Sequence, residues 1–191
     1  MTLNEVLKNT NYDVSLFSEE ARKYVEDAIV VKTIRGKESL FIKCLKRDKE
    51  IALKPEEAVR QLYLYKLIHE YGYPTSRIEV EFPIHFGREV KRADIAIMDK
   101  DRLMVPYIIV ELKKPKLTDG KEQLKSYCNA TGAPIGVWTN GEQISYYNRK
   151  DPNYFEPITN IPKVSEKLSD IINEKFTYED LKKIDRISQQ K

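Results

Sequence analysis

Two stretches of the sequence end in charged residues whose combination suits phosphodiester hydrolysis. Asp94 lies within an apolar run, and Glu111 and Lys113 follow a second apolar run, Tyr107 to Val110. Hydrolysis of a phosphodiester requires activation of a water and neutralisation of charge on the phosphate, which a hard divalent cation supplies. Magnesium keeps several of its waters, so two carboxylates and the substrate phosphate are enough to hold it. We therefore expect Asp94 and Glu111 to bind Mg²⁺, with Mn²⁺ as a substitute.

The alternation of side chains along a strand sets the directions of the neighbouring groups. Glu111 and Lys113 point to one face and Leu112 to the other. Lys113 is then expected to orient the attacking water, and the backbone carbonyl of Leu112 to act as a further metal ligand. A Glu-x-Lys triplet is also common on solvated edge strands. The apolar run before it favours the catalytic interpretation. A strand that is buried on both faces lies inside the sheet, and charged residues that follow it directly lie at the end of the sheet.

The periodicity of the sequence predicts the elements that position these residues. Their order is a helix from Pro55 to about Tyr71, strands near 77–86, 92–98 and 105–113, a helix through about Ala130, and strands over 134–139 and 143–147. Asp119 is the expected cap of the second helix, and Asn140-Gly141 predicts a tight hairpin turn. The order αβββαβ indicates an α/β fold with a mixed central sheet flanked by helices.

Both ends of the sequence predict additions to this core. Ser18 can cap a helix, and a hairpin is expected over 29–34 and 39–45. Residues 163–191 show two charged, amphipathic helical patterns. We expect an N-terminal helix and hairpin extension over 1–50, a core over 51–160, and a helical extension over 161–191 that leads to a downstream domain.

Three residues of the first core helix share a face directed at the same site. Glu57, Arg60 and Gln61 are spaced three or four apart. Glu57 is a candidate for a further acidic group near the metal, with Gln61 beside it. A glutamate in the first turn also stabilises the helix dipole wherever it points, so a purely structural role stays open.

Basic residues cluster near the end of the Glu111 strand. They are Arg92, Lys114, Lys116, Lys121 and Lys125. Such a set could hold phosphates on either side of a scissile bond and give sequence-independent affinity for double-stranded DNA. A solvated basic surface is the alternative for any single lysine.

Composition limits the other classes of function. The 191 residues carry 33 basic and 30 acidic side chains, a net charge of +3, so a DNA-binding face would depend on clustering. The two cysteines and two histidines lack metal-ligand spacing, which disfavours a zinc site. No phosphate-binding Gly-x-x-x-x-Gly-Lys-Ser/Thr loop is present, so the chain is not itself an ATP-driven motor. No signal peptide or membrane-length apolar stretch is present, and the cytoplasm is the expected location.

Six motifs in order resemble one family of nucleases. They are Pro-Glu-Glu-Ala-Val-Arg-Gln at 55–61, Tyr-Gly-Tyr-Pro at 71–74, Arg-x-Asp at 92–94, Glu-Leu-Lys-Lys-Pro at 111–115, Gln123 with Tyr127, and Trp-Thr-Asn-Gly at 138–141. Over about residues 50–160 the chain resembles the PD-(D/E)XK nucleases, and among them the N-terminal nuclease domain of type I restriction enzyme R subunits. Ala93 stands where the superfamily name has proline.

The resemblance implies a restriction-endonuclease-like core and a Mg²⁺-dependent endonuclease acting on double-stranded DNA. It implies that Gln123 and Tyr127 support the site or contact the DNA backbone. It also implies methyltransferase and specificity subunits, or fused domains, as partners in a restriction-modification complex, with ATP used only by a downstream or partner motor. Two alternatives stay open: an inactive nuclease-fold module for DNA binding or docking, and a nuclease of the same superfamily acting on branched or nicked DNA.

Overall fold

The computed structural model describes residues 2–7, 14–113 and 119–173. The N-terminal part contains helices α1 (Leu3–Leu7) and α2 (Glu19–Asp27) and strands β1 (Ile29–Ile34), β2 (Lys37–Lys43) and β3 (Glu50–Ala52). The central part contains α3 (Pro55–Tyr65), β4 (Ile78–Phe86), β5 (Glu89–Met98), β6 (Pro106–Leu112), α4 (Lys121–Thr131) and β7 (Ile135–Thr139). Strands β8 (Ile144–Asp151) and β9 (Tyr154–Ile158) and helix α5 (Leu168–Asn173) follow.

The described strands form two sheets. A three-stranded sheet has the order β1-β2-β3, and a six-stranded sheet has the order β4-β5-β6-β7-β8-β9. Every neighbouring pair is antiparallel except β6 and β7, which are parallel because α4 carries the chain from one to the other. The order α3-β4-β5-β6-α4-β7 confirms the predicted αβββαβ core and its mixed sheet.

Alternate residues of the central strands pack against opposite helical layers. Ile95 and Ile97 lie in a buried cluster with residues of α3, whereas Ala96 and Met98 lie in a second cluster with residues of α4. The run from Ile108 to Val110 is fully buried on both sides. A strand covered on both faces is continuously apolar, as the sequence of β6 indicates.

Local sequence explains where the helices begin and end. The Ser18 hydroxyl accepts a hydrogen bond from the backbone of Ala21, which confirms the predicted cap of α2. Pro55 opens α3, whose last turn widens into a π-helix, Lys66–Glu70, before Gly72 turns the chain with φ of 78°.

The predicted cap of α4 was wrong. Gly120 is the N-cap, with φ of 90°, and its left-handed conformation sets the direction in which the chain enters the helix. Asp119 contributes its backbone carbonyl instead, which accepts a hydrogen bond from Nε1 of Trp138 at 3.0 Å. That bond ties the start of α4 to β7.

The hairpin between β7 and β8 is confirmed, one residue along from the predicted pair. Asn140 pairs with Gln143 across the turn, so Gly141 and Glu142 are the two turn residues. The Asn140 side chain accepts hydrogen bonds from the backbone of both Glu142 and Gln143. Gly141 takes φ of 87°, which a residue without a Cβ tolerates.

The N-terminal elements pack into the same apolar cluster as the central sheet. Leu3, Val25 and Ile42 are buried in one cluster with α3 and with the facing residues of β5, β6 and β7. The predicted β1–β2 hairpin is present, and α1, β3 and β9 were not anticipated. Helix α5 agrees with the first C-terminal helical pattern; the second lies outside the described residues. The division at residues 50 and 160 stays a prediction.

Within the described residues, no helix is both long and apolar enough to span a membrane.

Candidate active site

Adjacent strands bring the two predicted carboxylates together. Ile95 pairs with Val110, so the antiparallel register continued by one residue sets Asp94 across from Glu111. Oδ2 of Asp94 accepts a hydrogen bond from the backbone N–H of Leu112 at 2.8 Å. Directly opposed residues of antiparallel strands have Cβ atoms about 4.5–5.5 Å apart. Residues 17 apart in the sequence therefore become near neighbours, close enough for the charge of Asp94 to act on Glu111.

Glu111 and Lys113 lie on the same face of β6, as strand alternation predicts. Nζ of Lys113 donates to Oε1 of Glu111 at 2.8 Å and to Oε1 of Gln123, on α4, at 2.9 Å. Gln123 in turn donates to the hydroxyl of Tyr127 at 2.5 Å. The ammonium is thus held at a defined position by the strand on one side and by the helix on the other.

The residues of α3 form a second network next to Asp94. Nη1 of Arg60 donates to Oε2 of Glu57 at 2.6 Å, and its Nη2 donates to Oδ1 of Asp94 at 2.8 Å. Nε2 of Gln61 donates to the other oxygen of Glu57 at 2.7 Å, and its Oε1 accepts from the backbone of Leu45 at 2.9 Å. Arg60 therefore connects the two acids, and Gln61 fixes Glu57.

Two charged residues at this site were missed by sequence reasoning. Arg47, in the loop between β2 and β3, lies 3.2 Å from Glu81 and 3.7 Å from Glu57. Glu81 lies on β4 with φ of 55°, at the position where the pairing of β4 with β5 skips Asp94. Arg47 belongs to a run of charged loop residues, and nothing near Glu81 in the sequence indicates a positive φ. The sequence pattern therefore does not distinguish either residue from an ordinary exposed charge.

Gly120 is a third residue that the sequence analysis did not single out. A Cβ at this position would overlap the Lys113 side chain, chiefly at its Cε atom. Since φ is 90°, the position also favours glycine for conformational reasons. The backbone of the α4 cap therefore lies directly against the aliphatic part of Lys113.

Burial and charge set the protonation of Glu111. Glu111 is 3% exposed, and burial, followed by the negative charge of Asp94, raises its pKa to about 7. The hydrogen bond and the charge of Lys113 act in the opposite direction. A cation placed between the two acids would relieve both unfavourable contributions.

A divalent cation fits these donors. Oε2 of Glu111 is buried and has no hydrogen-bond partner, so one hard oxygen is left unsatisfied beside Asp94. Within the described residues, no group of three or more His, Cys, Asp or Glu side chains is placed to hold a metal. Asp94 and Glu111 are two carboxylates on adjacent strands, and two suit a cation that keeps waters and binds substrate phosphate.

A cleft of about 470 Å³ opens beside the site. It is lined by Ile51, Ala52, Lys54, Glu56, Glu57, Val59, Arg60, Glu81, Asp94, Leu112 and Lys113. Polar groups from α3, β4, β5 and the end of β6 therefore face one space. Leu112 lies in this wall, and the use of its carbonyl as a ligand stays a prediction.

Three residues of the predicted basic cluster lie within the described part of the chain. Arg92 is exposed and donates to the carbonyl of Glu81 rather than facing the cleft. Lys121 lies over the ring of Trp138, 5.2 Å from its centroid, and Lys125 pairs with Glu122 at 2.7 Å. Lys114 and Lys116 lie outside the described residues. The catalytic, ligand and DNA-contacting roles assigned from the sequence stay predictions.

Asp94, Glu111, Lys113 and the residues of α3 thus lie together beside one cleft. Residues 55–162 match the family described as the type I restriction enzyme R protein N terminus, which is more than half of the chain. The chain belongs to this family. The membership confirms the predicted resemblance and supports a nuclease domain of the restriction-enzyme type. The matched residues run from the first residue of α3 to just beyond β9.

Two solved structures also resemble this R-protein N-terminal domain. A proposed nuclease belonging to DUF820 from Anabaena variabilis ATCC 29413 is 17% identical, with 95% of this chain and 97% of that chain covered and a TM-score of 0.41. The type IIG restriction endonuclease BpuSI is 19% identical, with 69% of this chain and 15% of that chain covered and a TM-score of 0.39. At these TM-scores neither likeness adds to the argument. No curated protein matches the chain.

Proposed function

We propose that this domain is the Mg²⁺-dependent endonuclease domain of a type I-like restriction-modification enzyme and hydrolyses phosphodiester bonds of double-stranded DNA. The observation that carries the proposal is the convergence of Asp94, Glu111 and Lys113 around an unsatisfied buried carboxylate oxygen. Two acids and one ammonium on neighbouring strands match the requirements of phosphodiester hydrolysis.

Each residue of the cluster has a role in this proposal. Asp94 and Glu111 would hold Mg²⁺, which would supply polarisation of the phosphoryl oxygen and a lower pKa for the attacking water. Lys113 orients that water and stabilises the negative charge that develops on the phosphoryl oxygens, because Glu111 and Gln123 hold its Nζ in place. Tyr127 supports Gln123, and Arg60 and Gln61 fix the acids Asp94 and Glu57.

The partners follow from the family and stay part of the proposal. Sequence specificity would come from a specificity subunit or fused domain, and modification from a methyltransferase. ATP would be consumed by a downstream or partner motor. The domain itself would contribute only the cutting step.

Substitution of Lys113 tests the assignment directly. Lys113→Ala should abolish cleavage of duplex DNA in the complete restriction assembly while leaving folding and DNA binding nearly unchanged, since the ammonium acts on the reacting water. Lys23→Ala is the matched control, because Lys23 is an exposed lysine of α2 whose partner is Asp27 and it does not line the cleft. Retained cleavage by the Lys113→Ala variant would contradict the catalytic role assigned to Lys113.

A docking module without catalysis is the second candidate, and the contacts of Asp94 favour it to a limited degree. Both oxygens of Asp94 already accept hydrogen bonds, one from Arg60 and one from Leu112. Each carboxylate oxygen has a second lone-pair direction, so a cation can still bind. Manganese binding measured by calorimetry, in the native chain and in Asp94→Ala, separates the candidates. Binding lost in the variant supports the nuclease; no binding even with duplex DNA present supports the docking module.

A further inference from the structure

The hairpin of β1 and β2 extends beyond the body of the protein. All eight residues from Val31 to Glu38 are exposed, although side chains of consecutive strand residues point to opposite faces. Neither face of this part of the ribbon is therefore covered by other described residues. We call residues 31–38 the arm. Its base is anchored, because Ile42 is buried in the main core and β2 pairs with β3.

The arm begins beside the cleft of the candidate active site. Ile51 and Ala52 of β3 line the cleft, and β2 pairs with them through Ile42 and Phe41. The backbone of Leu53 donates to the carbonyl of Leu40, after which β3 ends and β2 continues alone with β1. Four residues separate Leu40 from the tip, so at about 3.3 Å per residue the tip lies about 13 Å beyond this wall.

The arm carries positive charge at its tip. Ile34 pairs with Lys37, so Arg35 and Gly36 form the two-residue turn, with φ of 51° and 75°. Arg35 and Lys37 form no ion pair with a described residue. Lys32, nearer the base, is engaged by Glu50 and lies over the ring of Phe41. Two cations that pair with no described residue therefore occupy the tip, and Glu38 is the one acid of the arm.

The turn is built with an arginine where hairpins prefer another residue. Turns with positive φ at both central positions favour Asn-Gly, because asparagine tolerates the left-handed region better than other side chains. Arg35 occupies that first position at a conformational cost. Arg35 therefore does not stabilise the turn, and its side chain is exposed to solvent.

We propose that the arm binds the phosphate backbone of duplex DNA next to the bond that is cut. This inference rests on the proposed function. A cationic tip is complementary to phosphate, and a two-stranded ribbon fits the major groove, whose width of about 12 Å is close to the reach of the arm. Arg35 and Lys37 contact phosphates across the groove from the cleft. Because phosphates carry no base identity, the contact adds affinity without sequence preference.

The test measures the salt dependence of DNA binding by the full chain. Fluorescence anisotropy with two 30-base-pair duplexes of unrelated sequence, in EDTA, gives the dissociation constant over a series of NaCl concentrations. The variant is Arg35→Asn with Lys37→Gln, which removes both charges and leaves an Asn-Gly turn that the hairpin favours. The control is Lys100→Asn with Lys167→Gln. It removes two lysines from a pocket beyond the C-terminal end of β5, which shares no lining residue with the cleft. Thermal unfolding checks that all forms are folded.

The proposal predicts a specific change of slope. Each phosphate contact contributes about 0.9 to the slope of log affinity against log salt, so the arm variant should lose about 2 units on both duplexes and the control should lose almost none. Equal slopes for native chain and arm variant, an equal loss in the control, or no binding by the native chain at low salt would overturn it. If the slope is unchanged while Lys113→Ala still abolishes cleavage, only the arm is wrong and its exposed edge would suit a protein instead. If the slope changes but Lys113→Ala still cleaves, only the proposed function is wrong.

Discussion

At the residue scale, Glu111 shows how burial changes the chemistry of an ordinary side chain. Its carboxylate is enclosed at the end of β6, next to Asp94, and its pKa is raised to about 7 by burial first and by Asp94 second. In the unfolded chain the same group has its ordinary value of 4.5. Between these two values the folded protein holds a proton that the unfolded chain has released.

This difference predicts how stability changes with pH in the metal-free protein. Because the folded state binds the extra proton, the free energy of unfolding should fall as pH rises from about 4.5 to 7, by on the order of 3 kcal/mol from this group. Urea unfolding in EDTA at a series of pH values measures it. In Glu111→Gln the contribution is removed, so its profile should be flatter. Parallel profiles for the two proteins would contradict the raised pKa.

At the scale of elements, two glycines flank α4. Gly120 at its start and Gly132 at its end both have positive φ, of 90° and 77°. Only Gly120 lies against another side chain, that of Lys113, whereas a Cβ at Gly132 would meet nothing within 4 Å. The helix therefore has one cap that serves only the backbone and one that also determines where Lys113 lies.

Alanine at each of these glycines should separate the two effects. Both Gly120→Ala and Gly132→Ala should lose about 1–2 kcal/mol of stability, because alanine disfavours the left-handed conformation. Only Gly120→Ala should also displace the Lys113 ammonium from Glu111 and Gln123, and lower cleavage in the complete assembly by about 10- to 100-fold. Denaturant unfolding and cleavage rates measure the two quantities. Equal rates in the two variants would show that the contact with Lys113 has no functional effect.

At the scale of the whole molecule, the N-terminal elements and the central sheet share one core. Phe17 precedes α2 and is 4% exposed, and its ring packs edge-on against Tyr63 of α3 with centroids 6.5 Å apart. The same cluster extends to β6 and β7. A substitution in the N-terminal elements should therefore affect the stability of α3, which carries Glu57 and Arg60.

Phe17→Ala should destabilise the chain as a unit. Loss of a buried phenylalanine costs about 3–5 kcal/mol, and the shared core predicts a single unfolding transition at lower urea concentration. Leu16→Ala is the matched control, since Leu16 is 38% exposed and its truncation should change stability by less than about 0.5 kcal/mol. Circular dichroism and tryptophan fluorescence should give coincident transitions. Separate transitions would show that the N-terminal elements fold independently.

The order of elements and the placement of Asp94 on β5 and of Glu111 on β6 were predictable from local pattern. Apolar runs, the capping serine and Pro55 are short-range signals, and they correctly indicated α2, α3, the β1–β2 hairpin and the strands of the αβββαβ core. Strand alternation also placed Glu111 and Lys113 on one face. These features depend on neighbours within a few residues, which is why the sequence carries them.

What local pattern could not supply are contacts between residues far apart in the chain. Arg47, Glu81 and Gly120 are ordinary loop or strand residues until folding brings them to Glu57, Arg60 and Lys113. The pKa of Glu111 likewise depends on burial by several elements, and the exposure of the arm depends on where β3 ends. Short-range propensities therefore specify the elements and the types of reactive group, whereas long-range packing sets their distances, charges and exposure.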